Sequence, residues 1–340
     1  MRHPFPIREI ARQAGVSEAT VDRVLNQRPG VRAGTVLQVE RAVDELERQR
    51  TQLRLSERTF MVDVVMDTPK RFSTLVRRAL ERELPTLGPA VLRSRFHVGE
   101  QWDITELVRR LDAIARSGSH AVVLKAPDVP EVAAAIGRLT AARIPVITLV
   151  TDVPASTRIA HVGMDDRAAG ATAAYLVHQV LGTRPGAILV VTSSELFRGE
   201  EERERGFRTA LGHYDPDRVI VDIPNSDGLD DTCRTLVSAA LATHPDIVAV
   251  YSIGGGNSGI ATAFAAAGRT CAAFVGHDLA PANRELLIDG RMTAVLHHDL
   301  AADMRQLARM IMVHHGALPG PLPKAPSAIQ VITPHNLPVY

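Results

Sequence analysis

The chain has 340 residues, 45% of them apolar, which suits one small and one large domain or two medium ones and excludes a disordered polypeptide. Two cysteines, Cys233 and Cys271, lie far apart without metal-ligand spacing, so the chain is neither a disulfide scaffold nor a cysteine metal site and fits a reducing cytoplasm. No apolar run of about eighteen residues is present to span a membrane, and residues 1–7 lack the apolar core of a signal peptide. The net charge of +1 is unevenly divided: residues 1–58 hold eleven arginines against eight acids, and the rest holds 28 basic against 30 acidic residues. A basic head on a slightly acidic body is expected when a DNA-binding unit is joined to a domain with another task.

The first element predicted is a pair of short helices around a tight turn over residues 7–26. Ile7, Ile10, Ala11 and Ala14 form one apolar face at helical spacing. Gly15 gives the turn its backbone freedom, Ser17 is placed to N-cap the second helix, and small Ala11 lets the two helices approach. Val16, Val21, Val24 and Leu25 would seat the second helix, leaving Glu18, Ala19, Asp22 and Arg23 outward, side chains suited to base edges. Gln27 to Gly30 reads as a turn. A third helix from about Thr35 to Arg48, with Val36, Val39, Val43 and Leu46 at helical spacing, closes a three-helix head over residues 1–48. Residues 49–59 are polar and basic apart from Leu53 and Leu55, as in a linker.

From Thr59 onward, apolar β-rich runs alternate with amphipathic stretches. The runs fall at residues 60–66, 90–98, 121–124, 145–150, 187–192, 219–223, 247–253, 272–275 and 293–296. Strands separated by helical patterns mean βαβ units and parallel sheets, and this many suggest two doubly wound subdomains. Residues 158–166 form one candidate crossing between them, and the Pro-rich stretch 319–326 forms a late return.

These segments resemble the lac repressor (LacI/GalR) family over nearly the whole chain. The resemblance is carried by Ile10-Ala11-Arg12-Gln13-Ala14-Gly15-Val16-Ser17, then Ala19-Thr20-Val21 and Arg23-Val24-Leu25-Asn26. In the body it rests on Val162 to Gly170, on Arg203-Glu204-Arg205-Gly206-Phe207, and on Val275-Gly276-His277-Asp278. The resemblance implies an all-α helix-turn-helix head joined to an α/β type I periplasmic-binding-protein fold with parallel sheets. Two subdomains would close on a small effector and be crossed by the chain three times. The expected division is an N-subdomain of about residues 60–157 and 279–322 and a C-subdomain of about 158–278 and 323–340. The sequence departs from the family in Asp22, where Ser is common, and in a linker without the usual Pro-Asn start and Ala-Arg-Ser-Leu run.

Ligands of open parallel sheets bind beyond the carboxyl ends of the strands. That rule selects Asp67, Thr68 and Lys70, then Glu100 and Trp102, Lys125 and Asp128, and Asp152 in the first subdomain. In the second it selects Ser193, Ser194, Phe197 and Arg198, then Asn225, Asn257, Asp278 and His297. Asp, Asn and Arg beside an aromatic face suit a polyol. The expected effector contacts are Asp67, Trp102, Asp152, Phe197, Arg203, Asn257, Asp278 and His297, with Arg203 and Asp278 given their roles by the resemblance. Lys70, Lys125 and Asp128 also fit plain solvated loop charges, and Arg203 among Glu200, Glu201, Glu202 and Glu204 also fits a solvated helix face. Expected at DNA are Arg23 on a base edge, Glu18, Ala19 and Asp22 setting preference, and Ser17, Thr20, Asn26 and Thr35 on phosphates. Leu53 or Leu55 would wedge between base steps.

The sequence thus describes a cytoplasmic homodimeric regulator, a repressor of a near-palindromic operator in double-stranded DNA, switched by a sugar, polyol or sugar acid. No cofactor, metal or enzymatic activity is expected. Two alternatives compete. One is a solute-binding or sensory module without DNA binding. The other is a nicotinamide-dependent oxidoreductase, suggested by the G-x-G-x-x-G pattern of Gly254 to Gly259 after a strand. His297-His298 and His314-His315 invite a metal reading, but neighbours on a helix point in different directions, so His314-His315 makes a poor chelate, and surface or partly buried histidines account for both pairs.

Overall fold

The structure, a computed structural model, describes residues 4–56, 58–86 and 90–338, with backbone alone over 51–56 and at Thr86. The head consists of α1 (Ile7–Ala14), α2 (Glu18–Leu25) and α3 (Ala33–Ser56). Gly15 ends α1 in the left-handed region at φ 64°, and its N–H returns to the Ala11 carbonyl. The Ser17 side chain accepts from the Thr20 N–H at 3.2 Å, capping α2. Ile10, Ala11, Ala14 and Val21 meet Val39, Ala42 and Leu46 of α3 in one small core, which Phe5 closes from the N-terminal side. The expected third helix is therefore longer than its apolar pattern: it continues through the linker to Ser56. No Gly or Pro interrupts residues 49–56, so nothing in the backbone chemistry stops the helix there.

The body follows as β1 (Thr59–Asp67), α4 (Lys70–Glu83), β2 (Val91–Gly99), α5 (Ile104–Ser117), β3 (Ala121–Lys125), α6 (Pro130–Ala141), β4 (Val146–Leu149) and β5 (Ala160–Val162). It continues with α7 (Asp166–Leu181), β6 (Ala187–Val191), α8 (Arg198–Tyr214), β7 (Ile220–Ile223), α9 (Asp230–Thr243), β8 (Ile247–Ser252), α10 (Asn257–Ala266) and β9 (Ala273–His277). Last come α11 (Pro281–Ile288), β10 (Ala294–His298), α12 (Leu300–His314) and β11 (Ile329–Ile332).

The strands form two sheets, in the orders β2-β1-β3-β4-β5 and β11-β10-β9-β8-β6-β7. All pairs are parallel except β10 with β11. Strand alternation divides each core in two. In the first sheet Phe60, Val62, Val64 and Met66 face α4 and α12, while Val65, Val122 and Leu124 face α5 and α6. In the second, Leu189, Val250 and Phe274 face α9, α10 and α11, and Ile188, Val190 and Tyr251 face α7 and α8. Each sheet is covered on both sides, as parallel sheets require.

Three passages join the subdomains: after β5 into α7, from His298 of β10 into α12, and back through residues 319–326 to β11. The second lies later than expected. Residues 281–298 were assigned to the N-subdomain, yet α11 and β10 belong to the second sheet, because a right-handed crossover from β9 through α11 delivers β10 beside β9. Two short edge strands, β5 and β11, were not anticipated, since three or four residues leave too little alternation to read.

Helices α7 and α8 cross where two glycines oppose backbone. A Cβ on Gly170 would lie 1.9 Å from the Arg203 carbonyl oxygen, and one on Gly206 would lie 2.1 Å from the Arg167 carbonyl oxygen. Gly212, further along α8, has open space around it. Gly170→Ala and Gly206→Ala are each expected to lower unfolding free energy by about 3 kcal/mol through overpacking. Gly212→Ala is expected to raise it by about 0.5–1 kcal/mol through helix propensity. Urea denaturation of the three variants measures the contrast.

Candidate functional site

Two surfaces carry chemistry: the outer face of α2 and the gap between the sheets. On α2, Glu18, Ala19 and Arg23 are exposed as expected, and Ser17 and Thr20 share a hydroxyl hydrogen bond at 2.8 Å. Asp22 is not a free carboxylate. Its oxygens accept from Asn26 Nδ2 at 2.8 Å and from Arg28 at 3.1 Å, so a guanidinium offsets the charge that would repel phosphate. Thr35 stands half-buried in the first turn of α3. The side chains of Leu53 and Leu55 lie outside the described residues.

The gap is a cavity of about 520 Å³ lined by the loops at the carboxyl ends of both sheets, the place the parallel topology dictates. From the first subdomain come Asp67, Thr68, Arg71, Glu100, Trp102, Lys125 and Thr151, and from the second Ser193, Phe197, Glu200, Arg203, Asp227, His277 and Asp278. The Asp67 carboxylate accepts from the N–H groups of Gln101 at 3.0 Å and Trp102 at 3.2 Å, and burial raises its pKa. Those bonds fix the loop carrying Trp102. Its ring lies where a Cβ on Gly99 would come within 2.2 Å, and the Arg110 guanidinium covers it at 4.6 Å. Across the gap, Lys125 Nζ sits 4.1 Å from the Phe197 ring centroid and donates to the Asp67 carbonyl at 3.2 Å. Burial lowers the Lys125 pKa to about 8. Two aromatic faces with a mixed set of hydrogen-bonding groups suit a small polyhydroxylated molecule.

Beneath the cavity the charges are buried and coupled. Arg203, 5% exposed, donates through Nε to Asp166 at 2.7 Å across the α7–α8 crossing. His298, 1% exposed, bonds Asp303 of α12 through Nδ1 at 2.7 Å, and its Nε2 lies 3.7 Å from Asp278. Burial alone would lower the His298 pKa, but hydrogen bonding and charge from Asp278 and Asp303 raise it to about 9. Against its own burial, Asp278 is held well below the usual carboxylate range by His298 and Arg203. His277 meets the Tyr251 hydroxyl at 2.9 Å through Nε2, while its buried Nδ1 has no hydrogen-bond partner.

Of the expected effector contacts, Asp67, Trp102, Phe197, Arg203 and Asp278 line this cavity. Three do not. Asp152 is turned aside by Arg158, which reaches its Oδ2 at 2.5 Å, and by Thr148 at 2.7 Å. Asn257 is buried at the start of α10 and donates to Asn283 at 2.9 Å; Asn283, not Asn257, reaches the cavity wall. His297 is buried behind the β9–α11 loop, where its Nδ1 accepts from the Leu279 N–H at 3.3 Å. Lys70 and Asp128 lie off the cavity wall, whereas Lys125, readable as a solvated loop charge, is a half-buried part of it. Sequence reasoning missed Arg71, Thr151, Glu200 and His277. Glu200 was read within a solvated acidic run, yet it accepts from the Ser193 N–H at 2.7 Å and from the Ser193 hydroxyl. Among the described residues, no group of three or more His, Cys, Asp or Glu side chains is arranged to hold a metal. No described helix is long and apolar enough to cross a membrane.

The G-x-G-x-x-G pattern has a packing origin. A Cβ on Gly254 would meet the Ser193 N at 2.3 Å, on Gly256 the Cys233 sulfur at 2.2 Å, and on Gly259 the Asp230 carbonyl at 1.9 Å. Instead of cradling pyrophosphate with N–H groups, the loop offers the Gly254 carbonyl to the Arg71 guanidinium at 3.1 Å.

Residues 63–316 match the family model described as a periplasmic binding protein domain, and residues 6–49 match that of bacterial regulatory proteins, lacI family. Both are families of binding proteins rather than enzymes. No curated protein sequence matches the chain. Among solved structures, a glucose-galactose binding protein from Geobacillus stearothermophilus is similar at TM-score 0.73 and 22% identity, covering 83% of this chain and all (100%) of its own. A solute-binding protein from Actinobacillus succinogenes 130z with bound D-allose has TM-score 0.72 and 17% identity, covering 81% and 98%. One from Agrobacterium vitis with α-D-tagatopyranose has TM-score 0.72 and 18% identity, covering 82% and 95%.

The buried imidazolium sets a pH dependence. The His298 pKa is about 9 in the folded protein, raised from about 6.5 when unfolded, so its contribution is complete below pH 6.5 and lost as pH rises through 9. His161, His277, His297 and Lys125, lowered by burial, run in the opposite sense over this window and are shared by the wild type and a His298 variant. The difference in unfolding free energy between the wild type and His298→Gln should therefore shrink by about 1.5 kcal/mol between pH 6.5 and 8. Urea denaturation of both proteins at several pH values measures that difference.

Proposed function

The chain belongs to the lacI family of bacterial regulatory proteins with a periplasmic binding protein domain as its body, and on that premise we propose that it is a transcriptional repressor released or engaged by a carbohydrate effector. The observation that carries the proposal is the cavity: two aromatic side chains from opposite subdomains, Trp102 and Phe197, with Asp67, Arg203 and Asp278 on its wall, downstream of a DNA-reading head. It acts in the cytoplasm as a homodimer, setting one head on each half of a near-palindromic operator. Effector in the cleft favours one arrangement of the subdomains, and the spacing of the heads follows.

Arg23 is the exposed forked donor of α2 and reads a base edge; Glu18 and Ala19 shape the preference around it. Ser17, Thr20 and Thr35 hold phosphates, while the Asn26 amide, expected there too, donates to the Asp22 carbonyl and carboxylate instead. Asp22 acts through Asn26 and Arg28, whose positions it fixes.

Two measurements test the proposal. Arg23→Ala should weaken binding to the protein's own upstream DNA by about 10–100-fold at fixed salt; unchanged binding would leave only a solute-binding module. A thermal-shift screen with D-glucose, D-galactose, D-allose, D-tagatose and their acids should give stabilisation by at least one, about 2.7 kcal/mol at a hundredfold excess over Kd. No shift with any of them would remove the carbohydrate assignment.

A further inference from the structure

Arg71 lines the cavity but was not among the expected effector or DNA contacts. It stands at the start of α4 in the first subdomain and is half-buried. Its guanidinium crosses the cleft and donates to two backbone carbonyls of the second subdomain, Gly228 at 2.6 Å and Gly254 at 3.1 Å. Among the described residues it forms no ion pair with a carboxylate.

The receiving surface is shaped for this group. A Cβ on Gly255 would lie 1.8 Å from Arg71 Nη2, and one on Gly228 would lie 3.3 Å from the same atom. Both glycines also hold positive φ, 101° and 69°, which turns their loops so that the carbonyls of residues 228 and 254 converge. Two loops that follow different strands, β7 and β8, thus form one carbonyl cradle. A planar fork presents two donors to such a pair in fixed geometry, which a flexible ammonium holds less firmly. The other backbone contacts over the gap, Asp128 N–H to the Leu196 carbonyl at 3.0 Å and Gly199 N–H to Thr151 at 3.1 Å, join different loops.

We propose that Arg71 is a latch: by plugging into the glycine cradle of the second subdomain it holds the cleft closed without effector, so that the effector acts on a closed population instead of creating one. A group bridging two bodies through bonds present in only one arrangement shifts their equilibrium toward it, whatever occupies the cavity. The inference does not depend on the identity of the effector or on DNA binding.

The chain carries its own reporter, since Trp102 is the only tryptophan and lines the same cavity. Acrylamide quenching of the effector-free, full-length protein reads how open the cleft is. Arg71→Met should raise the quenching constant by about twofold, with Arg71→Lys between the two. Gly255→Ala blocks the cradle from the opposite side with Arg71 intact, and should give the same increase. Far-ultraviolet circular dichroism and urea midpoints accompany each variant, and should Gly255→Ala fail to fold, Arg71→Met decides alone. Quenching unchanged in a folded Arg71→Met protein would overturn the latch. Operator binding and the sugar screen would stand untouched by that result.

Discussion

Buried charges paired with one another hold the body in register. Asp166 opens α7 just after the first passage between the subdomains, His298 ends β10 at the second, and Ser327 lies on the third. Arg203 engages Asp166, Asp303 of α12 engages His298, and the Ser327 hydroxyl donates to Asp303. All three passages therefore meet a cluster of buried polar groups, in which Asp278 lies 3.7 Å from His298 Nε2. Charges removed from water are tolerated only while their partners stay in place, so the cluster resists displacement of the passages. Its cavity-facing ends, Arg203 and Asp278, lie where an effector would touch them.

The glycines at the α7–α8 crossing serve the same end. With Gly170 and Gly206 the two helices approach to backbone contact, which brings Arg203 within reach of Asp166 and under the cavity floor. Burial of that guanidinium is a consequence of helix spacing, and the spacing is a consequence of two missing side chains.

Much of this was legible in the residues. The head follows from helical periodicity, Gly15 and Ser17, because each is a local signal read within a few residues. Asp67, Trp102, Phe197 and Asp278 were found because parallel strands all end at the same gap. The failures have a common cause. Asp152 also follows a strand, but Arg158 six residues later captures it. Asn257 sits at the end of the right loop, yet its side chain turns inward to Asn283. Arg71 gave no signal at all, since its partners are backbone carbonyls more than 150 residues away. Periodicity reports which face a residue is on; it does not report who waits opposite. The G-x-G-x-x-G letters show the converse, a familiar spelling whose glycines answer to Ser193, Cys233 and Asp230 rather than to a nucleotide.

The pairing of Asp22 with Arg28 bears on how such a head changes its target over time. Each residue shields the other: the carboxylate is neutral toward phosphate only while Arg28 stands beside it, and the arginine is oriented only while Asp22 anchors it. A drift in one alone would expose either a bare acid to the duplex or a loose cation at the end of the reading helix. The two positions are physically coupled, and replacing either changes the charge that the other presents.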